Sequence, residues 1–226
     1  MVRPDDSTST REILEWTFAH AGGTVGMSTA FGPSGIVLMH LCCQLQANLK
    51  VFFLDTGFHF QETLNLAEEI RIRLPIDLEI LRPTMSLVEQ ATLHGAELPV
   101  LNSDACCRIR KVEPTRRMLS QLDVWMTALR RDQGPSRAQT AHFEDQRFEG
   151  RVLLKVNPLA HWDRRKIWAY ILQHNLPYNR LLDQGYNSIG CSPCTSISRD
   201  EDYERAGRWA QSGKTECGMH TQVWGS

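Results

Sequence analysis

Residues 24–45 read TVGMSTAFGPSGIVLMHLCCQL. The strand-like run Thr24 to Ala30 meets the turn-forming Phe31-Gly32-Pro33-Ser34-Gly35 and passes into the apolar stretch Ile36 to Leu45. That order predicts strand, tight turn, helix. Further along, a continuous apolar run from Leu49 to Leu54 ends in Asp55-Thr56-Gly57. A helical pattern with Leu64, Leu66, Ala67 and Ile70 follows, and then a third strand, Ile76 to Leu81. On the other side, Arg11 to Ala21 has the spacing of a helix after a polar tail. Strands alternating with helices of this length imply right-handed crossovers. The fold class is therefore α/β, with a mostly parallel sheet and flanking helices.

The remainder of the chain extends the pattern. Val124 to Leu129 and Val152 to Val156 read as two more strands, separated by a polar loop from Arg130 to Gly150. His161 to Leu176 reads as a helix, and the last fifty residues show little periodicity. No repeat or linker divides the sequence. Residues 1–226 are read as one domain, with an N-terminal tail and helix over about 1–23 and a loosely packed C-terminal segment over about 195–226.

The chain has 226 residues, 42% hydrophobic and 23% charged, with a formal charge of −1. This excludes a mini-protein and a disordered chain. No apolar run reaches about 18 residues, and Met1 to Thr10 lacks the build of a signal peptide. We therefore expect a cytoplasmic protein with no membrane partner. The seven cysteines are then read as core thiols, metal ligands or nucleophiles before disulfides. The charge is uneven: residues 104–166 carry 14 basic and 8 acidic groups, against 6 and 12 in residues 1–103. A positive middle third in a neutral protein, with no recognisable duplex-binding module, suits a small polyanion better than a nucleic acid.

Parallel sheets bind ligands beyond the carboxyl ends of their strands, where both N-terminal motifs fall. Ser28-Thr29-Ala30-Phe31-Gly32-Pro33-Ser34-Gly35 places hydroxyls and glycines where backbone N–H groups at a helix start can hold an anion. It matches neither the dinucleotide nor the Walker pattern, so a plain strand-to-helix turn also explains it. Cys106-Cys107 and Cys191-Ser192-Pro193-Cys194 form two polar-context pairs whose four thiolates suit zinc or an iron–sulfur cluster. Adjacent cysteines favour the cluster, whose corners lie farther apart. Cys42-Cys43, inside an apolar helix, is the same dipeptide read as core thiols. Cys217 is left over near the chain end, a candidate nucleophile or an incidental surface thiol. Arg130, Gln133, Arg137, Arg205 and Arg208 complete an inventory of anion-binding groups.

Together these segments resemble the iron–sulfur adenylyl-sulfate reductases of the assimilatory sulfonucleotide reductase family. The resemblance rests on Ser28-Thr29-Ala30-Phe31-Gly32, Leu54-Asp55-Thr56-Gly57, Cys106-Cys107-Arg108 with Lys111, Arg130-Arg131-Asp132-Gln133, Gly190-Cys191 with Pro193-Cys194-Thr195, Arg205-Ala206-Gly207-Arg208-Trp209 and Glu216-Cys217-Gly218-Met219-His220. Met219 stands where the family usually has Leu, and Ser196 where a basic residue often follows Cys-Thr.

The resemblance implies an adenine-nucleotide alpha hydrolase-like fold. It implies that Cys217 attacks the sulfur of adenosine 5′-phosphosulfate, and that reduced thioredoxin or a glutaredoxin-like reductant then releases sulfite. Lys111, Arg205, Arg208 and His220 are the catalytic candidates for neutralising the sulfate. Ser28, Thr29, Phe31, Gly32, Asp55, Thr56, Gly57, Arg130, Gln133 and Arg137 are the substrate-binding candidates. Cys106, Cys107, Cys191 and Cys194 are the implied ligands of a [4Fe–4S] cluster. Reduction of the 3′-phosphorylated nucleotide, a non-catalytic iron–sulfur or zinc redox sensor, and a homo-oligomer stay open at the level of sequence.

Overall fold

The computed structural model describes residues 3–20, 22–46, 48–198, 203–210, 212–220 and 224. The first two residues of the predicted tail, and residues 199–202, 211, 221–223, 225 and 226 of the predicted C-terminal segment, lie outside the described residues. Six strands form one sheet: β1 (Val25–Thr29), β2 (Leu49–Leu54), β3 (Ile76–Leu81), β4 (Val124–Met126), β5 (Phe143–Phe148) and β6 (Arg151–Val156), in the order β3-β2-β1-β4-β6-β5. All neighbours run parallel except the β5–β6 pair. The chain leaves β1 toward β2 and β3, then returns to place β4 on the other side of β1. The crevice beyond the carboxyl ends of β1 and β4 is therefore the topological switch point, where open α/β sheets bind ligands.

Both faces of the sheet are covered. In chain order the main helices are α1 (Thr10–His20), α2 (Pro33–Cys43), α3 (Gln61–Arg73), α4 (Leu87–His94), α5 (Leu98–Leu101), α6 (Ser103–Cys107), α7 (Glu113–Leu119) and α8 (Arg164–Gln173). Alternation along the strands sorts residues to opposite faces. Val51, Phe53 and Met126 pack with Leu66 and Ile70 of α3, Ile167 and Ile171 of α8 and the apolar body of α2. Phe52 and Trp125 point the other way, onto Met118 and Leu119 of α7 with Phe148, Leu153 and Trp224. Helix α2 is apolar nearly all round because it is buried nearly all round: Ile36, Val37, Leu38 and Met39 have no exposed surface. Among the described residues, no helix is long and apolar enough to cross a membrane.

Two stretches differ from the sequence reading. The polar loop predicted over Arg130 to Gly150 contains β5, an edge strand whose outer face is solvated. Its residues FEDQRF therefore carry too much charge to register as a strand. It turns back into β6 through Glu149 and Gly150, both in the left-handed region (φ 47° and 79°), the backbone of a tight two-residue hairpin. Residues 87–119, unassigned from sequence, are a chain of short helices. Within it, Arg108–Val112 forms a π-helical turn directly after the Cys106-Cys107 pair.

Leu38→Ala should remove about 2–5 kcal/mol of stability by opening a cavity under the sheet. Leu172→Ala, on the exposed face of α8, should change stability by less than about 0.5 kcal/mol. Urea unfolding of both variants checks the contrast; equal losses would contradict the packing described.

Candidate functional site

A cavity opens at the carboxyl ends of β1, β2 and β4. One wall is the loop from Ser28 to Gly35, and the others come from Phe53-Leu54, Thr127 to Leu129, Asn187 to Gly190 and the C-terminal segment. The loop is held from behind. Trp125 Nε1 donates to Ser28 Oγ at 2.9 Å, and the Phe31 N–H donates to Thr29 Oγ1 at 2.9 Å. Phe31 sits at φ 53°, a conformation that non-glycine residues rarely adopt, with its ring buried 5.0 Å from that of Phe53. Such local strain costs of order 1–3 kcal/mol and is retained where packing over-determines it. Helix α2 then begins at Pro33 with Gly32 as its N-cap and no side-chain cap. Its first N–H groups are left for an anion, beside Ser34 and Gly35 on the lining.

All five catalytic candidates, Lys111, Arg205, Arg208, Cys217 and His220, line this one cavity. The C-terminal segment is brought there by Glu216. Its carboxylate accepts from Arg137 Nε at 2.6 Å and Nη2 at 2.9 Å, from Arg205 Nη2 at 3.2 Å and from Ser136 Oγ at 3.1 Å. The three charged side chains are only 8–10% exposed, so this is a buried, bidentate clamp. Cys217, expected to be loosely held, is docked and half-buried beside it. Burial opposes its thiolate, but Lys111, the Met219 N–H and Arg205 outweigh burial and the adjacent Glu216, and the thiol pKa falls below its ordinary value. Lys214 pairs with Asp104 at 2.8 Å and donates to the Ser103 carbonyl.

Burial pulls the Lys111 ammonium down, yet the thiolates of Cys191 and Cys217 hold it above its ordinary value. Arg205 is pushed down to about 10 by burial and by neighbouring Arg137, and so stays charged at neutral pH. His220 differs from the expectation of a cation. Burial, then Lys155, Arg137 and Arg205, depress its pKa well below the ordinary value, and it is neutral, stacked on Trp125 at 5.3 Å.

Of the substrate-binding candidates, Ser28, Thr29, Phe31, Gly32, Gln133 and Arg137 line the cavity. The other four do not. Arg130 is 1% exposed and bound to Ser34, Asp132 and Glu204; it props the loop from beneath. Asp55 accepts from the Gly57 N–H at 3.0 Å and pairs with Arg82 at 3.1 Å. Thr56 is fully buried, with Oγ1 3.3 Å from Cys191 Sγ. Gly57 supplies the positive φ of 76° that the turn requires. These three build the bend that carries Phe58 and His59 onto the second cysteine pair, where the Ser192 N–H donates to the Phe58 carbonyl at 2.7 Å. His59 lines the cavity and was not singled out from sequence, nor were Asn187 or Glu204. The rule that ligands lie beyond strand ends would have extended the β2 motif to His59.

The four cysteines of the two pairs converge. Cys107, Cys191 and Cys194 pack with Trp209, Phe58 and Cys217 in one apolar cluster, and Cys106 lies against it. Burial pushes the Cys106 thiol up to about 12, and the thiols of Cys107, Cys191 and Cys194 add to the effect. Lys111 offsets only part of this mutual repulsion. Among the described residues, the only three potential ligand groups with donor atoms within 4.8 Å of one another are Asp6, His142 and His161, so no three of these thiols are that close. One tetrahedral zinc would hold its sulfurs roughly 3.8 Å apart. The wider spacing and the all-thiol donor set fit a polynuclear group. Cys42, by contrast, is fully buried in α2 with Sγ 3.6 Å from Met126 Sδ, a core thiol as expected.

Glu216→Gln should leave two buried guanidiniums uncompensated and loosen the C-terminal segment, raising its cleavage rate in limited proteolysis about tenfold or more. Burial raises the Glu216 pKa, but Arg137 and Arg205 bring the net value below the ordinary one. The clamp is thus complete above the usual glutamate range and is lost only as pH falls through the lowered value. Cleavage of the unmodified chain should therefore not vary between about pH 5 and 8 through this residue. A variant cleaved at the unmodified rate would contradict the clamp.

Residues 24–197 match the family model of the phosphoadenosine phosphosulfate reductase domain. The chain is 45% identical to adenosine 5′-phosphosulfate reductase 2 of Bacillus subtilis, over 93% of this chain and 89% of that one. It is 44% identical to an adenosine 5′-phosphosulfate reductase of Oceanobacillus iheyensis, over 96% and 91%. A crystal structure of phosphoadenylyl-sulfate reductase from Candida auris, in complex with phosphate, superposes with a TM-score of 0.69 at 28% identity, over 82% of this chain and 89% of that one. The FMN adenylyltransferase of Candida glabrata shares the fold at 17% identity and a TM-score of 0.61, over 87% and 70%. By sequence and by fold, the chain belongs to the phosphoadenosine phosphosulfate reductase family, within its adenosine 5′-phosphosulfate reductases.

Proposed function

We propose that this chain reduces adenosine 5′-phosphosulfate to sulfite and AMP in assimilatory sulfate reduction, with Cys217 as nucleophile and a cytoplasmic thioredoxin as reductant. The observation that carries the reading is the docking of Cys217, thiolate favoured, over a cavity where an uncapped helix start and several cations meet. Relatives named for this nucleotide share 45% and 44% of their aligned residues with it, which supports the choice over the 3′-phosphorylated substrate.

The Cys217 thiolate attacks the sulfate sulfur; the S–O bond to the phosphate breaks and AMP departs with the electron pair, leaving an S-sulfocysteine. A thioredoxin thiolate then attacks Cys217 Sγ, and sulfite leaves with the electrons of the S–S bond. The second thioredoxin thiol resolves the mixed disulfide and returns Cys217 to its thiolate. The barrier is the approach of one anion to another. Lys111 and Arg208 pair with no carboxylate among the described residues, whereas Arg137 and Arg205 are shared with Glu216. Lys111 and Arg208 are therefore assigned to the sulfate, Gln133 and the loop from Ser28 to Gly35 to the nucleotide, and neutral His220 to hydrogen bonding at the reacting end.

Cys106, Cys107, Cys191 and Cys194 are assigned as the ligands of a [4Fe–4S] cluster. When bound, the group with its four thiolates supplies a net charge of about −2 beside Lys111, tuning the field of the pocket. Thr56 and the bend after β2 position Cys191 for this role.

Cys217→Ser should lower sulfite release at least about a thousandfold while nucleotide binding is kept. Lys111→Gln should lower kcat/KM at least about a hundredfold and move the alkylation midpoint of Cys217 to higher pH, since the lost cation raises the thiol pKa. Turnover of the 3′-phosphorylated nucleotide at an equal kcat/KM would contradict the substrate assignment. Cys106→Ser and Cys194→Ser should lose iron and visible absorption, and Cys43→Ser should keep both. A colourless chain carrying one zinc would contradict the cluster.

A further inference from the structure

On the far side of the turns that carry Gln133 and Arg137, three groups from distant parts of the chain meet. Asp6 lies ahead of α1, His142 immediately before β5, and His161 between β6 and α8; their ligand atoms lie within 4.8 Å of one another. His142 is 4% exposed and pinned to Asn157 twice: its ring Nδ1 lies 3.0 Å from the Asn157 carbonyl, and its own carbonyl accepts the Asn157 N–H at 2.8 Å. A carbonyl can only accept, so Nδ1 carries the proton and Nε2 holds the lone pair. Among the described residues, that Nε2 is buried without a partner. The His142 and His161 rings stand 4.4 Å apart.

The third side is a carboxylate. Arg131 Nη2 donates to Asp6 Oδ2 at 3.3 Å, and the other oxygen, Oδ1, faces His161 Nε2 at 3.9 Å. That gap is too long for a hydrogen bond. Two donors on one tetrahedral zinc lie roughly 3.4 Å apart, so a small contraction would seat an ion between them. An imidazole whose other nitrogen is fixed by a backbone carbonyl is the usual arrangement of a metal-bound histidine.

We propose that Asp6, His142 and His161 form a second metal site, separate from the cysteine cluster, for a divalent ion of the zinc class with water in the remaining position. Two imidazoles and one carboxylate suit zinc, cobalt or nickel better than magnesium or calcium. The ion ties the segment before α1 to the two connections flanking β5 and β6. Arg131 donates from its backbone to the Ala160 carbonyl and from its side chain to the Thr140 carbonyl, so the frame under Gln133 and Arg137 is fastened to the same place. The site stands independently of the proposed reaction.

The test uses the full chain, purified anaerobically with its iron measured, and zinc titrated against a chromogenic chelator. At equal iron content, the unmodified chain should take up one equivalent of zinc more than Asp6→Asn or His161→Gln, both substitutions at exposed positions. Zinc should raise its melting temperature and leave those of the two variants unchanged. Cobalt in place of zinc should give weak visible bands for the extra equivalent. Equal zinc uptake in all three chains, a zinc-induced shift that survives both substitutions, or an intense near-ultraviolet thiolate band with cobalt would each overturn the site. Variants that melt lower with no response to zinc in any chain would reduce the trio to an ion pair.

Discussion

The Glu216 carboxylate, gripped by Arg137 and Arg205 in a nearly water-free setting, fixes where the last part of the chain goes. Everything chemical at the pocket follows from that placement. The neighbouring residue, Cys217, is thereby set against Lys111, and two residues further on Met219 packs onto the Trp125 side of the sheet. A buried ion pair of this kind contributes little net stability, because desolvation offsets most of the attraction. What it supplies is register: only one arrangement of the C-terminal segment satisfies all three charges.

The cysteine pairs are assembled by a different device. Cys106 and Cys107 end a helix that runs into a π turn, and Cys191 and Cys194 bracket a short 3₁₀ turn more than eighty residues later. The bend after β2 connects them, through Thr56 against Cys191 and the backbone pairing of His59 with Cys191. Arg208 then donates to the Cys194 carbonyl at 3.3 Å, so a cation lining the cavity is braced directly on the cysteine loop. Gly190 leaves room for that guanidinium, since any side chain there would collide with it. Pocket and cysteine cluster thus share walls, and a change in one is felt in the other.

Much of this was legible from residue order alone. The strand-like run Thr24 to Ala30 and the continuous apolar run Leu49 to Leu54 marked the buried strands β1 and β2, and Ile36 to Leu45 located α2, because burial on both sides leaves a strong signal. The cysteine pairs were legible as a set because their polar context contrasts with that of Cys42-Cys43. Strand β5 was not, since an edge strand keeps charged residues on its outer face. The placement of Arg130 and Asp55-Thr56-Gly57 outside the cavity lining was hidden for a related reason: a polar residue at a strand end can face a cavity or support the loop that does. Only tertiary partners, Glu204 and Ser34 in one case and Cys191 in the other, decide between these. The neutrality of His220 was equally hidden, because it arises from cations that are distant in sequence.

In the proposed reaction the docked thiol is the group that accepts the sulfuryl moiety. Peptide mass spectrometry after mixing the iron-loaded protein with adenosine 5′-phosphosulfate, in the absence of any reductant, tests it directly. The expected result is a stoichiometric sulfonate on the peptide containing Cys217, one AMP released per chain, and loss of the adduct with release of sulfite once reduced thioredoxin is added. A sulfonate found on another cysteine, or sulfite formed at full rate with Cys217 never modified, would contradict it.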